Sequence, residues 1–292
     1  DRLLFFIEKP DECFEENVFI EKPEDKYKKT NPNVKKVCSF PITMSWRRAI
    51  ANVYVTYESG ITYYFIENSQ YFDRDGFYGY GDDPERFAFF VLATKELLYH
   101  LSLKPDIIHV HDWHPGMLPC CIKEDPYARE YFKNTKLVTS IHNPAFQGMN
   151  PMSVLGDYYN LPDDLFHSGK VRFNGQVSTL KTMIVYSDKI TTVSPTHHLE
   201  LLTADGGMGL DGVLRLREDD FSGILNGIDY VEFNPSDDRH IAKCFTTRCV
   251  KNGKEANKKA LTIYFIKKGD KSNEKMGMSG LRICNGYCAC AE

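Results

Sequence analysis

Residues 109–114, His-Val-His-Asp-Trp-His, place three histidines and a carboxylate at the end of an apolar run. Imidazole and carboxylate groups bind metals, transfer protons and orient hydroxyl groups. Because alternate strand residues point to the same face, His109 and His111 are predicted to share one face. No H-E-x-x-H spacing or second carboxylate completes a zinc set, so no metal is predicted.

Asp112 also has a purely structural interpretation. It precedes a stretch predicted to be helical, so its carboxylate could cap that helix while Trp113 is buried beneath it. Ser194 has the same ambiguity, because Ser before Pro195 is a typical helix start. Both alternatives remain open from the sequence.

Polar residues follow three further apolar runs: His142 and Asn143 after "KLVTSI", Ser194 and Thr196 after "ITTV", and Asn226 and Asp229 after "SGIL". If these runs are parallel strands, their carboxyl ends meet at one edge of a sheet, where ligands bind in open α/β folds. The sequence therefore predicts a crevice for a polar ligand.

The elements that would position these residues alternate between strands and helices. "NVYVTYESGITYYFIE" predicts a β-hairpin, and "DDPERFAFFVLATKELLYHL" predicts a long helix starting at Asp82 or Asp83 with Pro84 in its first turn. "DIIHVH", "TKLVTSIHN", "KITTVSP" and "FSGILNGID" predict strands, and "MLPCCIKEDPYAREYF" predicts helix. This alternation predicts an α/β, Rossmann-like fold with a mainly parallel sheet and helices on both faces.

Three segments are predicted along the chain. Residues 1–30 contain the near copies "EKPDE" and "EKPED" and no recognisable opening strand, so we expect an atypical, poorly ordered segment. Residues 31–245 form the Rossmann-like domain. Residues 246–292 are a helical stretch followed by a polar tail without periodicity.

Composition narrows the class of protein. The 292 residues carry 36 Lys plus Arg against 40 Asp plus Glu, which disfavours nucleic acid as a partner. No apolar run approaches a membrane span, and no secretion signal opens the chain. Nine scattered cysteines favour a reducing, cytoplasmic setting. The tail cysteines Cys284, Cys288 and Cys290 lack the C-x2-C spacing of common zinc sites.

Two motif matches are rejected. "GMGLDG" at 207–212 satisfies G-x-G-x-x-G, but it follows a helical stretch instead of a strand. "DRDGFYGYGDDPE" resembles a calcium loop, yet Tyr78 stands where the sharp-turn glycine belongs. Neither match is a credible cofactor site, so no cofactor is expected. No P-loop or G-x-S-x-G elbow is present, which disfavours kinase and hydrolase functions.

Six blocks in order resemble the bacterial glycogen synthases and plant starch synthases: "YFDRDGFYGYGDDPERFAFF", "PDIIHVHDWHPGMLP", "SIHNPAFQGMNP", "STLKTMIVYSDKITTVSPT", "GMGLDGVLRLR" and "FSGILNGIDYVEFNPSDD". The resemblance implies the N-terminal half of a GT-B fold, in which two Rossmann-like domains enclose a cleft. It also implies glucose transfer from ADP-glucose, a nucleotide sugar, to the non-reducing end of an α-1,4-glucan, in the cytoplasm or in a plastid.

The resemblance also implies roles for particular residues. Asp112 matches the acidic residue on the sugar and acceptor side of the cleft, and His142 matches the histidine beside the transferred glucose. We expect both to be catalytic. The matching blocks imply substrate-binding roles for Asn143, Gln147, Ser194 and Asn226. Five aromatic residues either belong to the core or supply a surface for glucan: Tyr71, Phe72, Phe77, Tyr78 and Tyr80.

The resemblance is confined to one half of the family's pattern. The family's Lys-x-Gly-Gly-Leu loop has no match in residues 1–40, and the match ends near Leu261. We therefore expect the 292-residue chain alone to be inactive in transfer. Two alternatives stay open: a non-catalytic glucan-binding or regulatory fragment, and a transferase that uses another nucleotide sugar. The sequence does not determine the oligomeric state.

Overall fold

The computed structural model describes residues 34–58, 60–230 and 233–269, together with the backbone of two short strands in residues 5–8 and 16–20. Contacts divide the chain into two compact units, residues 1–226 and 227–292. The three segments expected from the sequence stay a prediction. The "EKPED" copy and the cysteine tail lie outside the described residues.

The strands of the first unit, within the described residues, are β1 (Phe5–Glu8), β2 (Glu16–Ile20), β3 (Lys35–Met44), β4 (Arg47–Glu58), β5 (Ile61–Glu67), β6 (Ile107–His111), β7 (Lys136–Ile141), β8 (Met149–Asn150), β9 (Arg172–Phe173), β10 (Gln176–Ser178), β11 (Lys189–Thr192) and β12 (Phe221–Gly223). They form a nine-stranded sheet of order β12-β11-β7-β6-β1-β2-β5-β4-β3 and a small sheet of order β8-β10-β9. Strands β6, β7, β11 and β12 are parallel neighbours, whereas β3, β4 and β5 pair antiparallel. The sheet is therefore mixed, and its parallel half carries the predicted site.

The helices of this unit are α1 (Ser69–Phe72), α2 (Asp83–His100), α3 (Leu118–Glu124), α4 (Pro126–Tyr131), α5 (Val154–Asp157), α6 (Asp164–His167), α7 (Thr179–Tyr186), α8 (Pro195–Leu201) and α9 (Asp211–Arg215), with a 3₁₀ turn at Glu218–Asp220. As predicted, α2 starts after Asp82 with Pro84 in its first turn. The predicted helix over 117–132 is instead two helices, because Pro126 holds Asp125 in an extended conformation between them.

The predicted hairpin is present as the antiparallel pair β4 and β5. The expectation that the first residues lack an opening strand is wrong. Strand β1 pairs antiparallel with β6, and β2 pairs parallel with β5, so both lie inside the main sheet. Their short "FFIE" and "ENVFI" runs have strand propensity, but the charged residues around them masked this signal in the sequence.

A continuous hydrophobic core holds the parallel strands. Phe89 and Phe90 of α2, Val110 of β6 and Ile184 of α7 are all fully buried. Burial of this apolar surface is the main stabilising contribution in a domain of this size. The carboxyl ends of the strands are therefore fixed by the packing of the segments beneath them.

The second unit contains helix α10 (Val250–Gly269). The side-chain amide of Asn257 bonds both backbone groups of Lys243, at 2.8 Å each, and so ties the preceding loop to the helix. Gly253 lies so close to the Phe245 ring that a Cβ there would overlap it. Among the described residues, no helix combines the length and apolar character needed to cross a bilayer.

Candidate functional site at the carboxyl edge

The four parallel strands end in register. His111 of β6 lies opposite Ser140 of β7, and Thr192 of β11 lies opposite both Ile141 of β7 and Gly223 of β12. The residues that follow these positions therefore emerge from one edge of the sheet, as the sequence predicted. We call this region the carboxyl-edge site and define it by Asp112, His142 and the side chains that contact them.

The Asp112 carboxylate joins two of the strand ends. Its Oδ1 accepts hydrogen bonds from the backbone N–H of His142 at 2.8 Å and of Asn143 at 3.4 Å. Its backbone has a φ of 59°, in the left-handed region that Asp adopts more readily than most residues. Within the described residues, no hydrogen bond uses Oδ2. One oxygen thus positions the loop after β7.

The helix-capping interpretation of Asp112 is wrong. Helix α3 begins at Leu118, with Met117 at the N-cap, so Asp112 lies too far upstream to cap it. The tight turn at Trp113 and Gly116 separates the strand from the helix. Trp113 packs edge-on against Phe87, with ring centroids 5.1 Å apart, and contacts the core as expected.

Three histidines and two hydroxyl groups form a connected cluster beside Asp112. His111 Nδ1 lies 2.9 Å from His142 Nε2, and the rings of His109 and His111 are 4.3 Å apart on the predicted common face. His109 Nε2 lies 2.7 Å from Ser140 Oγ, which is 2.5 Å from Thr191 Oγ1. Three adjacent strands therefore contribute to the surroundings of His142.

Burial sets the protonation of His109 and His111. It lowers the pKa of His109 to about 4 and that of His111 to about 2, with the nearby imidazoles acting in the same direction. Both are therefore neutral near pH 7. Burial also raises the pKa of Asp112, and the hydrogen bonds from His142 and Asn143 oppose that rise.

The other predicted substrate-binding residues differ in their contacts and in their positions relative to Asp112 and His142. Asn143 Oδ1 accepts from Ala145 N at 3.0 Å and shapes the loop after β7. Gln147 Nε2 donates to Met208 O at 2.9 Å, which ties that loop to the rejected "GMGLDG" motif. Ser194 Oγ accepts from His197 N at 2.9 Å as the N-cap of α8, so its structural interpretation is confirmed. Asn226 is exposed after β12, and no hydrogen bond in the described residues joins it to Asp112 or His142.

Thr179 supports the loops that carry the site, and the sequence did not indicate it. Its Oγ1 donates to Trp113 O at 2.5 Å, and its N–H donates to Gly148 O at 3.2 Å. The first residue of α7 therefore connects the loop after β6 with the loop after β7. A Cβ on Gly116 or Gly148 would overlap Thr179, which explains glycine at both positions. No local signal marks this contact, since Thr179 and Trp113 are 66 residues apart.

Four of the five aromatic residues fall into two groups, and the fifth, Tyr80, is partly buried with its hydroxyl accepting from Gly76 N at 2.7 Å. Tyr71 and Phe72 are 3% and 4% exposed and belong to the core. Phe77 and Tyr78 are 47% and 41% exposed in the loop before α2. Tyr78 lies 6.3 Å from the Trp113 ring and 5.9 Å from the Phe146 ring, beside the carboxyl-edge site. The aromatic surface is therefore restricted to the second group.

Arg86 anchors this aromatic loop and was also missed from the sequence. Its side chain is 1% exposed, forms an ion pair with Asp83, and donates to Tyr71 O at 2.6 Å and Phe77 O at 3.2 Å. A buried arginine with these partners fixes the loop backbone.

Among the described residues, no group of three His, Cys, Asp or Glu side chains is arranged to hold a metal ion. The site is thus a surface of imidazole, carboxylate, hydroxyl and aromatic groups. Such groups orient and stack on polyhydroxylated ligands through hydrogen bonds and ring faces. Fold and site together define an α/β protein with a cluster of polar groups, a candidate ligand site, at the carboxyl ends of parallel strands.

Comparison with known proteins identifies the family. Residues 16–216 match the family model described as the starch synthase catalytic domain. The glycogen synthase of Clostridium kluyveri is 42% identical over 213 residues, covering 73% of this chain and 45% of the relative. That of Anoxybacillus flavithermus is 40% identical over 232 residues, covering 80% and 48%. The chain belongs to the starch synthase catalytic domain family.

A solved structure agrees with this assignment. The catalytic domain of Starch Synthase IV from Arabidopsis thaliana, bound to ADP and acarbose, superposes with a TM-score of 0.67 at 31% identity. The match covers 80% of this chain and 48% of that one. The fold class is therefore confirmed as the Rossmann-like N-terminal half of a GT-B fold. The chain spans about half the length of the curated relatives it matches.

Proposed function

We propose that this chain supplies the sugar side of the active site of a glycogen or starch synthase-type glucosyltransferase. The reaction transfers glucose from ADP-glucose to the non-reducing end of an α-1,4-glucan. The observation that carries the proposal is the Asp112 carboxylate, which holds the backbone of His142 and Asn143 within the part matched by the family model. The solved relative carries ADP and acarbose, which supports a nucleotide-sugar donor and a glucan acceptor.

The chemistry fits these side chains. Retention at the anomeric carbon passes through an oxocarbenium-like state, so the glucose must be held precisely while the sugar carbon becomes electron-poor. The free oxygen of Asp112 and the exposed ring of His142 orient sugar hydroxyl groups in our proposal. Asn226 and the shaped loop at Asn143 and Gln147 complete the glucose side. We place the reaction in the cytoplasm, or in a plastid if the source is a plant.

The exposed aromatic residues supply the acceptor side of the proposal. Phe77 and Tyr78 lie in a loop held by buried Arg86, and Tyr78 approaches Trp113 and Phe146. Pyranose rings present C–H faces that pack on aromatic rings, while their hydroxyl groups bond to polar neighbours. We therefore propose that the glucan chain packs across Tyr78 as it approaches Asp112.

The proposal is tested in a chimera that has the full length of a relative. Residues 16–216 replace the matching half of the Clostridium kluyveri glycogen synthase, and incorporation of labelled ADP-glucose into glycogen is measured. We expect transfer, and about a 100-fold or greater loss of kcat for His142→Ala in the same chimera. A folded chimera without transfer would contradict the proposal.

Two measurements on the 292-residue chain distinguish the catalytic hypothesis from the binding hypothesis. We expect no incorporation from labelled ADP-glucose above background, because the relatives are about twice the matched length. We expect glycogen in the gel to retard the migration of the chain. Tyr78→Ala should reduce this retardation. Tyr127→Ala, which removes an exposed tyrosine of α4, should leave it unchanged. Retardation that Tyr78→Ala does not change would refute the proposed acceptor surface.

A further inference from the structure

The contact between His111 and His142 is not explained by the roles assigned so far. His142 is exposed at the end of β7, whereas His111 is the last residue of β6 and is partly buried. Their ring nitrogens Nδ1 and Nε2 lie 2.9 Å apart, which is hydrogen-bond distance. One of these two nitrogens must carry the proton of that bond.

The surroundings of His111 limit which of the two nitrogens carries the shared proton. Burial lowers the pKa of His111 to about 2, so its ring is neutral and has one acceptor nitrogen over the working pH range. When the exposed His142 is protonated, both of its nitrogens are donors. The only arrangement that then preserves the bond is Nε2–H of His142 donating to Nδ1 of His111.

The His111 ring is itself held in place. Its backbone belongs to the β6–β7 ladder opposite Ser140, and its ring packs 4.3 Å from that of His109. His109 is fixed in turn by Ser140 Oγ at 2.7 Å. The neutral ring of His111, held on a rigid strand, can therefore fix the orientation of the exposed His142 ring at the end of β7.

We propose that His111 is a positioning residue for His142: its Nδ1 accepts from His142 Nε2–H, which fixes the ring and leaves His142 Nδ1 as the nitrogen that meets the ligand. The consequence for glucose transfer rests on the proposed function, but the hydrogen bond does not. Orientation of a site histidine by a partner on its other nitrogen is a general means of setting its tautomer.

The test is NMR spectroscopy of the 292-residue chain labelled with ¹⁵N-histidine. We expect a scalar coupling between His142 Nε2 and His111 Nδ1, with the shared proton on His142 and protected from exchange with water. Absence of the coupling, or a proton located on His111 Nδ1, would overturn the proposal. This measurement on the unmodified chain does not depend on any variant folding.

Two substitutions separate hydrogen bonding from packing. His111→Asn places an amide oxygen near the Nδ1 position, so the His142 Nε2 proton should stay protected, whereas His111→Leu should expose it to exchange. His167→Leu, which removes an exposed imidazole on α6, should change nothing at His142. Identical loss of protection in the Asn and Leu variants would overturn a hydrogen-bonding role.

Adding a linear α-1,4-glucan oligosaccharide separates this inference from the proposed function. A shift of the His142 Nδ1 signal with the coupling retained supports both. An unchanged Nδ1 signal with the coupling retained supports the role of His111 and counts against the proposed glucose site.

Discussion

At the scale of single residues, the Asp112 carboxylate holds the loop after β7 and, in the proposed function, also orients a sugar hydroxyl group. One oxygen accepts from two backbone N–H groups, and the residue adopts a left-handed conformation to reach them. Asn tolerates this conformation and keeps an acceptor oxygen, whereas Ala does neither. The two substitutions therefore separate the structural task from the charge.

We predict that Asp112→Ala lowers the free energy of unfolding at pH 7 by about 2–4 kcal/mol, from two lost hydrogen bonds and the strained backbone. Asp112→Asn should cost less than about 1 kcal/mol. Urea denaturation followed by circular dichroism measures both values. Equal losses would show that the negative charge, and not the acceptor oxygen, holds the loop.

His114 is a second residue with a defined energetic effect. It stacks on Trp113 with centroids 3.9 Å apart and meets Phe87 at 4.7 Å, and neither ring nitrogen has a hydrogen-bond partner among the described residues. Burial, reinforced by the charge of Arg86, lowers its pKa from 6.5 to about 3. Between these values the unfolded chain binds the proton and the folded chain does not. Stability therefore falls as the pH falls from about 6.5 towards 3.

We predict that His114→Phe removes this part of the pH dependence. At pH 5 relative to pH 7 the wild-type histidine costs on the order of 2 kcal/mol, which the phenyl ring does not. His109 and His111 act in the same direction, so a smaller slope remains. Urea midpoints at both pH values measure the effect, with the exposed His167→Phe as control. Equal pH slopes in wild type and His114→Phe would contradict this assignment.

At the scale of elements, the start of α7 holds together the loops that carry the site. Thr179 bonds to Trp113 O and Gly148 O, and both Gly116 and Gly148 pack directly on it. Close approach of backbone to backbone is possible here because glycine has no Cβ. The precision of the carboxyl-edge site therefore depends on a helix that contributes no predicted ligand contact.

We predict that Gly148→Ala destabilises the first unit by about 2–4 kcal/mol, because its φ of 59° strains alanine and the new Cβ overlaps Thr179 Oγ1. Gly156→Ala on α5 is the matched control, since no atom lies within 4 Å of its Cβ position. It should stabilise slightly, by up to about 1 kcal/mol. Thermal and urea unfolding compare the two; similar values would show that the loops yield without cost.

At the scale of the whole molecule, the first unit has its own core. Every residue of the buried hydrophobic cluster, within the described part of the chain, lies between Phe40 and Phe221. The second compact unit begins at Gly227. A unit that buries its own apolar surface is able to fold alone.

We predict that a chain ending at Asn226 unfolds cooperatively with the same urea midpoint as the 292-residue chain. Retention of the histidine NMR signals of the carboxyl-edge site would confirm that this unit alone forms it. A lower midpoint or loss of cooperativity would show that residues 227–292 stabilise the first unit.

Much of this arrangement followed from local sequence patterns. Short apolar runs ending in polar residues predicted β6, β7, β11 and β12, because strand formation and burial leave a local signature. The same signature was too weak for β1 and β2, whose short runs lie among charged residues. Asp112 was ambiguous because one carboxylate before a turn can cap a helix or bind the next strand's loop.

Local patterns along the chain were enough to predict the alternation of elements, the position of Asp112 and His142 at strand ends, the helix cap at Ser194 and the family resemblance. Three contacts emerged only in the folded chain: Asp112 holds the loop after β7, His111 contacts His142, and Thr179 joins two loops. Those partners are 30, 31 and 66 residues apart along the chain. Contacts over such separations depend on strand register and helix packing, which no local pattern encodes.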